Sequence, residues 1–280
     1  MPLDYDHIMA LPPLETEHVV TERDTILYAL GVGATNLRHI YEDGLQALPT
    51  MAVILAYPGF FAKRPEYGIT WEKLLHGEQS IELHRPLPAT GRFIGRTTID
   101  EIYDKGADKG AIMLARRTIT DADSGALIAT SRAASFLRAD GGFGNRGDGV
   151  PPKPHPHPDR DPDLTLALPT RPDQAMLYRL SGDYNPLHID PAVASTAGFD
   201  RPILHGLCTY GVVGRALLQG LCCNDATRFR RMDARFSSPV FPGETIRTEI
   251  WREGEGRAAF RAFAEERGQL VMTNGYLEYL

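Results

Sequence analysis

The chain repeats itself. Leu27–Thr35 (LYALGVGAT) lies over Leu177–Asn185 (LYRLSGDYN) without a gap, and further matches follow in the same order. ALPTMAVI from Ala47 meets DRPILHGL from Asp200, LHRPLPATG from Leu83 meets FSSPVFPG from Phe236 with one residue inserted, and SGALIATS from Ser124 meets RGQLVMTN from Arg267. Matches in a conserved order imply duplication of one unit of roughly 130 residues, within the usual size of a domain. Whatever the first half builds, the second half must be able to build beside it.

Between the halves runs RADGGFGNRGDGVPPKPHPHPDRDPD (Arg138–Asp163), dense in glycine, proline and charge and lacking any apolar period. It reads as an exposed linker. We divide the chain into a first unit over 1–138, a linker over 139–163 and a second unit over 164–280. Each unit has the same grammar. A polar loop with a short helix is followed by a proline-initiated apolar helix, from Pro49 in one and Pro202 in the other. Alternating segments follow: RFIGRTTIDEIY, GAIMLARRTIT and ALIATSRAASFLR in the first unit, ETIRTEIWRE, RAAFRAFAEE and QLVMTNGYLEYL in the second. The predicted class is α+β, a helix wrapped by a curved antiparallel sheet, made twice. In ILHGLCTYGVVGRALLQGL, Gly211 and Gly214 are expected to let the helix lie close against a sheet.

Hydrophobic residues at 42% and charged residues at 24% fit a chain with a real core. A net charge of -6 offers no basic footprint for nucleic acid. The longest apolar run, MAVILAYPGFFA, is short and interrupted by proline, so no membrane span is expected. Cys208, Cys222 and Cys223 read as reduced thiols rather than a disulfide framework, which points to a cytoplasmic setting.

The two units differ where chemistry is expected. The gapless match sets Gly33 opposite Asp183 and Arg38 opposite His188. A requirement of the fold alone would appear in both copies; the carboxyl and the imidazole appear in one. Such a pair can move a proton on and off a bound water. Asn185 can orient water or carboxyl, and the Gly206 N–H, at a helix start, can hold a developing oxyanion. Together they suit addition or removal of water beside a carbonyl. The competing account is a polar turn, since Asp, Asn and Pro186 all favour turns; the missing counterparts weigh against it. His205 reads as a supporting or capping residue.

The segment YRLSGDYNPLHIDPAVASTAGFDRPILHGLCTYG resembles the signature of the MaoC-like (R)-specific 2-enoyl-CoA hydratases. RDTILYALGVGA, LHGEQSIELHRPLP and IYDKG resemble the N-terminal half of the two-unit form, as in the hydratase 2 unit of peroxisomal multifunctional enzyme type 2. The resemblance implies a double hotdog fold with two long helices, a catalytic second unit, and a first unit that leaves room for the acyl chain. It implies Asp183 and His188 as the acid–base pair, Asn185 assisting and Gly206 as oxyanion donor. It implies acyl-CoA contacts from His76, Gly77, Lys105, Tyr184, Pro186, Leu187 and Phe236. Taken singly, His76 and Phe236 would pass for core residues and Lys105 for a surface charge. The implied reaction is reversible hydration of a trans-2-enoyl-CoA to an (R)-3-hydroxyacyl-CoA, with no cofactor and no metal, in a homodimer. Alternatives are a 3-hydroxyacyl-ACP dehydratase, a hydratase of a branched, aromatic or steroid acyl-CoA, a thioesterase, and a non-catalytic acyl-CoA binding protein.

Three weaker signals are set aside. GVGATN lacks the third glycine of a dinucleotide loop. HPHP (His155–Pro158) reads as solvated linker, and Cys222 and Cys223 as residues packing at a helix end.

Overall fold

In Gly91–Asp104, Phe93, Gly95 and Thr97 turn inward while Arg92, Ile94 and Arg96 face solvent. That period of two is a strand with one buried face. The computed structural model describes residues 3–144 and 151–280, and it contains ten such strands. They are β1 (Leu14–Val20), β2 (Leu74–Leu83), β3 (Gly91–Asp104), β4 (Ala111–Asp121), β5 (Leu127–Leu137), β6 (Leu164–Pro169), β7 (Phe229–Phe236), β8 (Thr245–Arg252), β9 (Arg257–Ala264) and β10 (Gln269–Tyr279). One antiparallel sheet takes them in the order β1-β3-β4-β5-β2-β7-β10-β9-β8-β6. Matching β2 with β7, β5 with β10, β4 with β9, β3 with β8 and β1 with β6 makes the two sides equivalent. This is the double hotdog arrangement. Its seam is the β2–β7 ladder, where Ser80 faces Asp233 and donates its hydroxyl to that carboxylate at 2.6 Å. Beside it Arg235 pairs with Glu78.

The helices are α1 (Tyr5–Met9), α2 (Glu22–Gly31), α3 (Leu37–Ile40), α4 (Gln174–Tyr178), α5 (Pro191–Thr196) and α6 (Gly206–Leu221). α6 is apolar nearly all round and buried. Its glycines do permit close packing: Gly211 faces the first unit rather than the sheet, and Gly214 faces both Thr50 of the first unit and Met232 of β7. A Cβ on Gly211 would come 2.4 Å from Val32 Cγ1, and one on Gly214 would come 2.5 Å from Thr50 Cγ2.

Two helix expectations need correction. The run from Pro49 makes only a 3-10 turn, Pro49–Val53. Pro58, Gly59, Pro65 and Gly68 stop any continuation, and Ala56 already has a left-handed φ of 45°. That segment lies directly on β3: a Cβ on Gly95 would come 2.4 Å from the Ala56 carbonyl oxygen. In the second unit α6 begins at Gly206, four residues after Pro202. The intervening stretch is extended, and its Leu204 N–H donates to the Val240 carbonyl at 2.7 Å.

Residues of the second unit close the end of α2. Gln174 donates to the carbonyls of Gly31 at 2.5 Å and Leu30 at 3.1 Å, and Arg215 donates to that of Val32 at 2.8 Å. These are the last-turn carbonyls that a helix cannot satisfy itself. One hydrophobic cluster spans both units, including Tyr28, Leu48, Phe93, Tyr178, Tyr210 and Phe260. A second, with Ile8, Tyr67, Ile102 and Met113, belongs to the first unit.

Part of the linker, 145–150, lies outside the described residues. The rest is less solvated than its composition suggests. His155 meets Glu253 at 2.7 Å, His157 stacks on Trp251, and Gly142 and Gly144 donate backbone N–H groups to Asp104.

Candidate active site

The loop after α4 is a series of capped turns. Gly182, at φ 115°, ends one 3-10 turn, and Asn185 opens the next by accepting the Leu187 N–H at 3.1 Å. Asp190 then caps α5 through the Ala192 N–H at 2.8 Å. Asp183 is held between these turns, its Oδ1 accepting the Asn185 N–H at 3.2 Å.

His188 reaches across to the extended stretch before α6. Its Nδ1 lies 2.9 Å from the Ile203 carbonyl oxygen, which can only accept. The proton therefore sits on Nδ1 and the Nε2 lone pair is free. His205 Nε2 donates to the Asp183 backbone carbonyl at 3.1 Å, leaving His205 Nδ1 bare, buried and unpartnered. The two imidazoles stack with centroids 3.8 Å apart. Asp183, His188 and His205 each present a ligand atom, all within 4.8 Å of one another. A divalent cation could use such a donor set, though one nitrogen of each ring is already engaged with backbone.

Burial lowers the pKa of His188, opposed by its bond to Ile203 and by the Asp183 charge. Burial, with His188 alongside, pushes His205 down to about 4. Both rings are neutral at pH 7, so His188 is a base ready to accept a proton.

α6 starts beside this cluster with no side-chain cap, and Gly206 is exposed. Its N–H is open to a ligand at the positive end of a long helix. A Cβ on Gly206 would touch the Phe236 ring at 3.6 Å. Phe236 meets His76 of β2 edge-to-face at 5.2 Å, and His76 Nε2 donates to the Glu78 carbonyl at 3.1 Å. Burial lowers the His76 pKa, and the Asp183 charge is among the influences raising it. Burial raises the hydroxyl pKa of Tyr57, with Arg117 lowering it and the Asp183 charge raising it. The cluster thus lies where the two units meet.

Of the residues singled out from sequence, Asp183, His188, Gly206, Phe236 and His76 come together. Gly77 has a packing reason for being glycine, since a Cβ there would lie 2.1 Å from the Phe136 ring. Lys105 is exposed in the β3–β4 turn, and Tyr184, Asn185 and Pro186 are exposed on the loop, with Leu187 half-buried. The oxygen of Asn185 accepts one capping hydrogen bond, which leaves its amide NH2 and a second lone pair to meet a ligand. Tyr57 went unnoticed in the sequence, where YPG reads as a turn. His205, read as support, is a full member of the cluster.

Residues 154–274 match the family described as MaoC like domain, and residues 18–139 match the MFE-2 hydratase 2 N-terminal domain. The chain is 46% identical over 273 residues to 3-hydroxyacyl-thioester dehydratase Y of Mycobacterium tuberculosis (strain ATCC 25618 / H37Rv), with 93% of each chain covered. It belongs to the MaoC-like family, in its two-unit hydratase 2 form. Another member, the peroxisomal enoyl-CoA hydratase 2 of Arabidopsis thaliana, is 38% identical, with 98% of this chain and 94% of that one covered. Among solved structures, a MaoC-like dehydratase from Phytophthora capsici superposes with a TM-score of 0.89 at 39% identity, covering 98% of both chains. The MaoC like domain match covers the second unit, while the first, whose loop lacks the acid and the imidazole, matches the MFE-2 hydratase 2 N-terminal domain instead.

Proposed function

We propose that the chain is a hydro-lyase that reversibly hydrates trans-2-enoyl-CoA to (R)-3-hydroxyacyl-CoA in fatty acyl-CoA metabolism. The observation that carries the reading is the Asp183–His188 pair, with a neutral imidazole, beside an open helix start. The thioester carbonyl accepts the Gly206 N–H, which draws electron density from C2=C3. Asp183 and His188 hold a water, its oxygen attacks C3, and His188 Nε2 takes its proton. The enolate carbon C2 is then protonated by the same pair from the same face. One water is added and the pair returns to its starting state; dehydration is the reverse.

The reading needs no metal or redox cofactor for this chemistry. Relatives named both hydratase and dehydratase favour the same equilibrium approached from either side. A 3-hydroxyacyl-ACP dehydratase would share every step and differ in carrier. We further propose a homodimer, on the resemblance alone, to be tested by light scattering. No helix among the described residues is long and apolar enough to cross a membrane. A cytoplasmic setting is proposed on the free thiols; the Arabidopsis relative is peroxisomal by name.

The test is loss of enoyl absorbance across a chain-length series on CoA and ACP carriers, with chiral analysis of the product. Asp183→Asn and His188→Ala should each lose roughly 10²–10⁴-fold in kcat while keeping their circular dichroism. Full turnover in both variants would remove the assignment; release of free thiol would make the chain a thioesterase; tight binding without turnover would make it a carrier.

A further inference from the structure

Arg117 of β4 is a buried cation without a counter-charge. It is 6% exposed and points to the concave face of the sheet. One Nη2 donates to the Val53 carbonyl at 2.7 Å, with Ala52 at 3.4 Å. No carboxylate pairs with it among the described residues, and its Nε has no partner. Burial draws its pKa down to about 10, so it remains charged at neutral pH. Uncompensated charge in an interior is costly, and an orphaned buried donor calls for a reason.

Its surroundings point to a ligand. On one side the guanidinium carbon lies 5.2 Å from the centre of the Tyr57 ring, and Tyr57 feels the Asp183 charge. On the other side Thr97 is its partner across the β3–β4 ladder. Thr97 is 7% exposed, and its hydroxyl is also buried and unpartnered. Thr97 lines a cavity of about 230 Å3 whose other walls include Ile8, Phe61 and Tyr67. The two orphaned polar groups therefore lie between Tyr57, which the Asp183 charge influences, and a cavity of the first unit that Thr97 lines.

We infer that Arg117 and Thr97 form a subsite for a carboxylate carried on the acyl tail of the substrate. The carboxylate accepts from Arg117 Nε and from the Thr97 hydroxyl, charge-assisted bonds that satisfy both orphans at once. A purely alkyl tail leaves them unmet. The inference rests on the acyl-thioester reading above and specifies its substrate class.

The full chain is assayed with two trans-2-enoyl-CoA substrates of equal length, one ending in methyl and one in carboxylate. The wild type should hydrate both. In Arg117→Met the ratio of kcat/KM for the carboxylated over the methyl substrate should fall roughly tenfold or more. Arg117→Lys should recover part of it. Should Arg117→Met fail to fold, Thr97→Val, which keeps shape and removes the hydroxyl, decides by the same ratio. An unchanged ratio in the variants, or a wild type that hydrates the methyl substrate alone, overturns the subsite and leaves the hydratase reading standing. A wild type that hydrates neither substrate overturns both.

Discussion

The two units share a sheet and differ in what lies on it. Where the second unit has Gly206, opening a 16-residue helix with its N–H outward, the first has Val53, closing a 3-10 turn with its carbonyl bonded to Arg117. Where the second has Asp183 and His188 facing the unit boundary, the first has Gly33 and Arg38. Gly33 takes a φ of 77°, and a Cβ there would come 3.0 Å from Arg215. The first unit's loop is thus locked by Arg215 and Gln174, while the second unit's loop keeps lone pairs free. On the function proposed above, one copy of the duplicated scaffold is the support and the other the site. Sheet pairing needs both copies alike, and the helical layer is where they can diverge.

The sharpest test of that division exchanges equivalent positions. His188→Ala should lose on the order of 10³-fold in kcat, whereas Arg38→Ala, at its exposed counterpart, should stay within about twofold. Similar losses in both would erase the asymmetry. Next in size is the helix start. Gly206→Pro removes one N–H and little else, because proline suits the first helical position. His205, at φ -56° and ψ 134°, already has the backbone that a following proline demands. We expect a roughly 10²–10³-fold fall in kcat with an unaltered melting temperature. A melting temperature that collapses would show that the Gly206 position matters for folding instead.

The imidazole stack sets a pH dependence that the first unit, with Ala52 at the place of His205, does not have. His205 stays neutral in the fold down to about 4, against 6.5 for the free side chain. Below 6.5 the unfolded chain therefore binds a proton that the folded chain refuses. Through His205 alone, stability should fall by about 3 kcal/mol as pH drops from 6.5 toward 4. Urea midpoints across that range check it, and His205→Asn should flatten the slope. The rate should hold below the ordinary histidine range, since the His188 pKa is lowered too, and decline only when His188 Nε2 takes up a proton.

Much of this was legible beforehand. Six strands follow from alternating, β-branched and aromatic segments. β1, β2, β6 and β7 did not: β6 is short and abuts the linker, β2 is broken by a bulge at Gly77, and β7 (FRRMDARF) puts arginines on its outer positions. The apolar run after Pro49 looked like a helix because its first residues are buried, as a helix's would be, while Pro58 and Gly59 end it. Asp183 and His188 stood out by lacking counterparts. Tyr57 and Arg117 could not, because their importance arises from a segment of one unit crossing β3 to meet a loop of the other. Sequence spacing carries no record of that crossing.

The smallest effects probe the contact between the units. Gly211→Ala drives a methyl to 2.4 Å from Val32 Cγ1 and should cost about 1–3 kcal/mol in urea unfolding. Gly220→Ala crowds the end of Leu166, at 3.1 Å, and touches the ends of Ile250 and Leu164 at 3.6 and 3.7 Å, flexible tips that can give way. There the better helix propensity of alanine, up to about 1 kcal/mol, should offset the crowding and leave stability nearly unchanged. Both glycines lie on one helix, so propensity alone would move them equally, in the stabilising direction. A difference between them measures how closely α6 is seated on the first unit. Adding Val32→Ala to Gly211→Ala should recover part of the loss, a coupling that residues in direct contact show and distant ones do not.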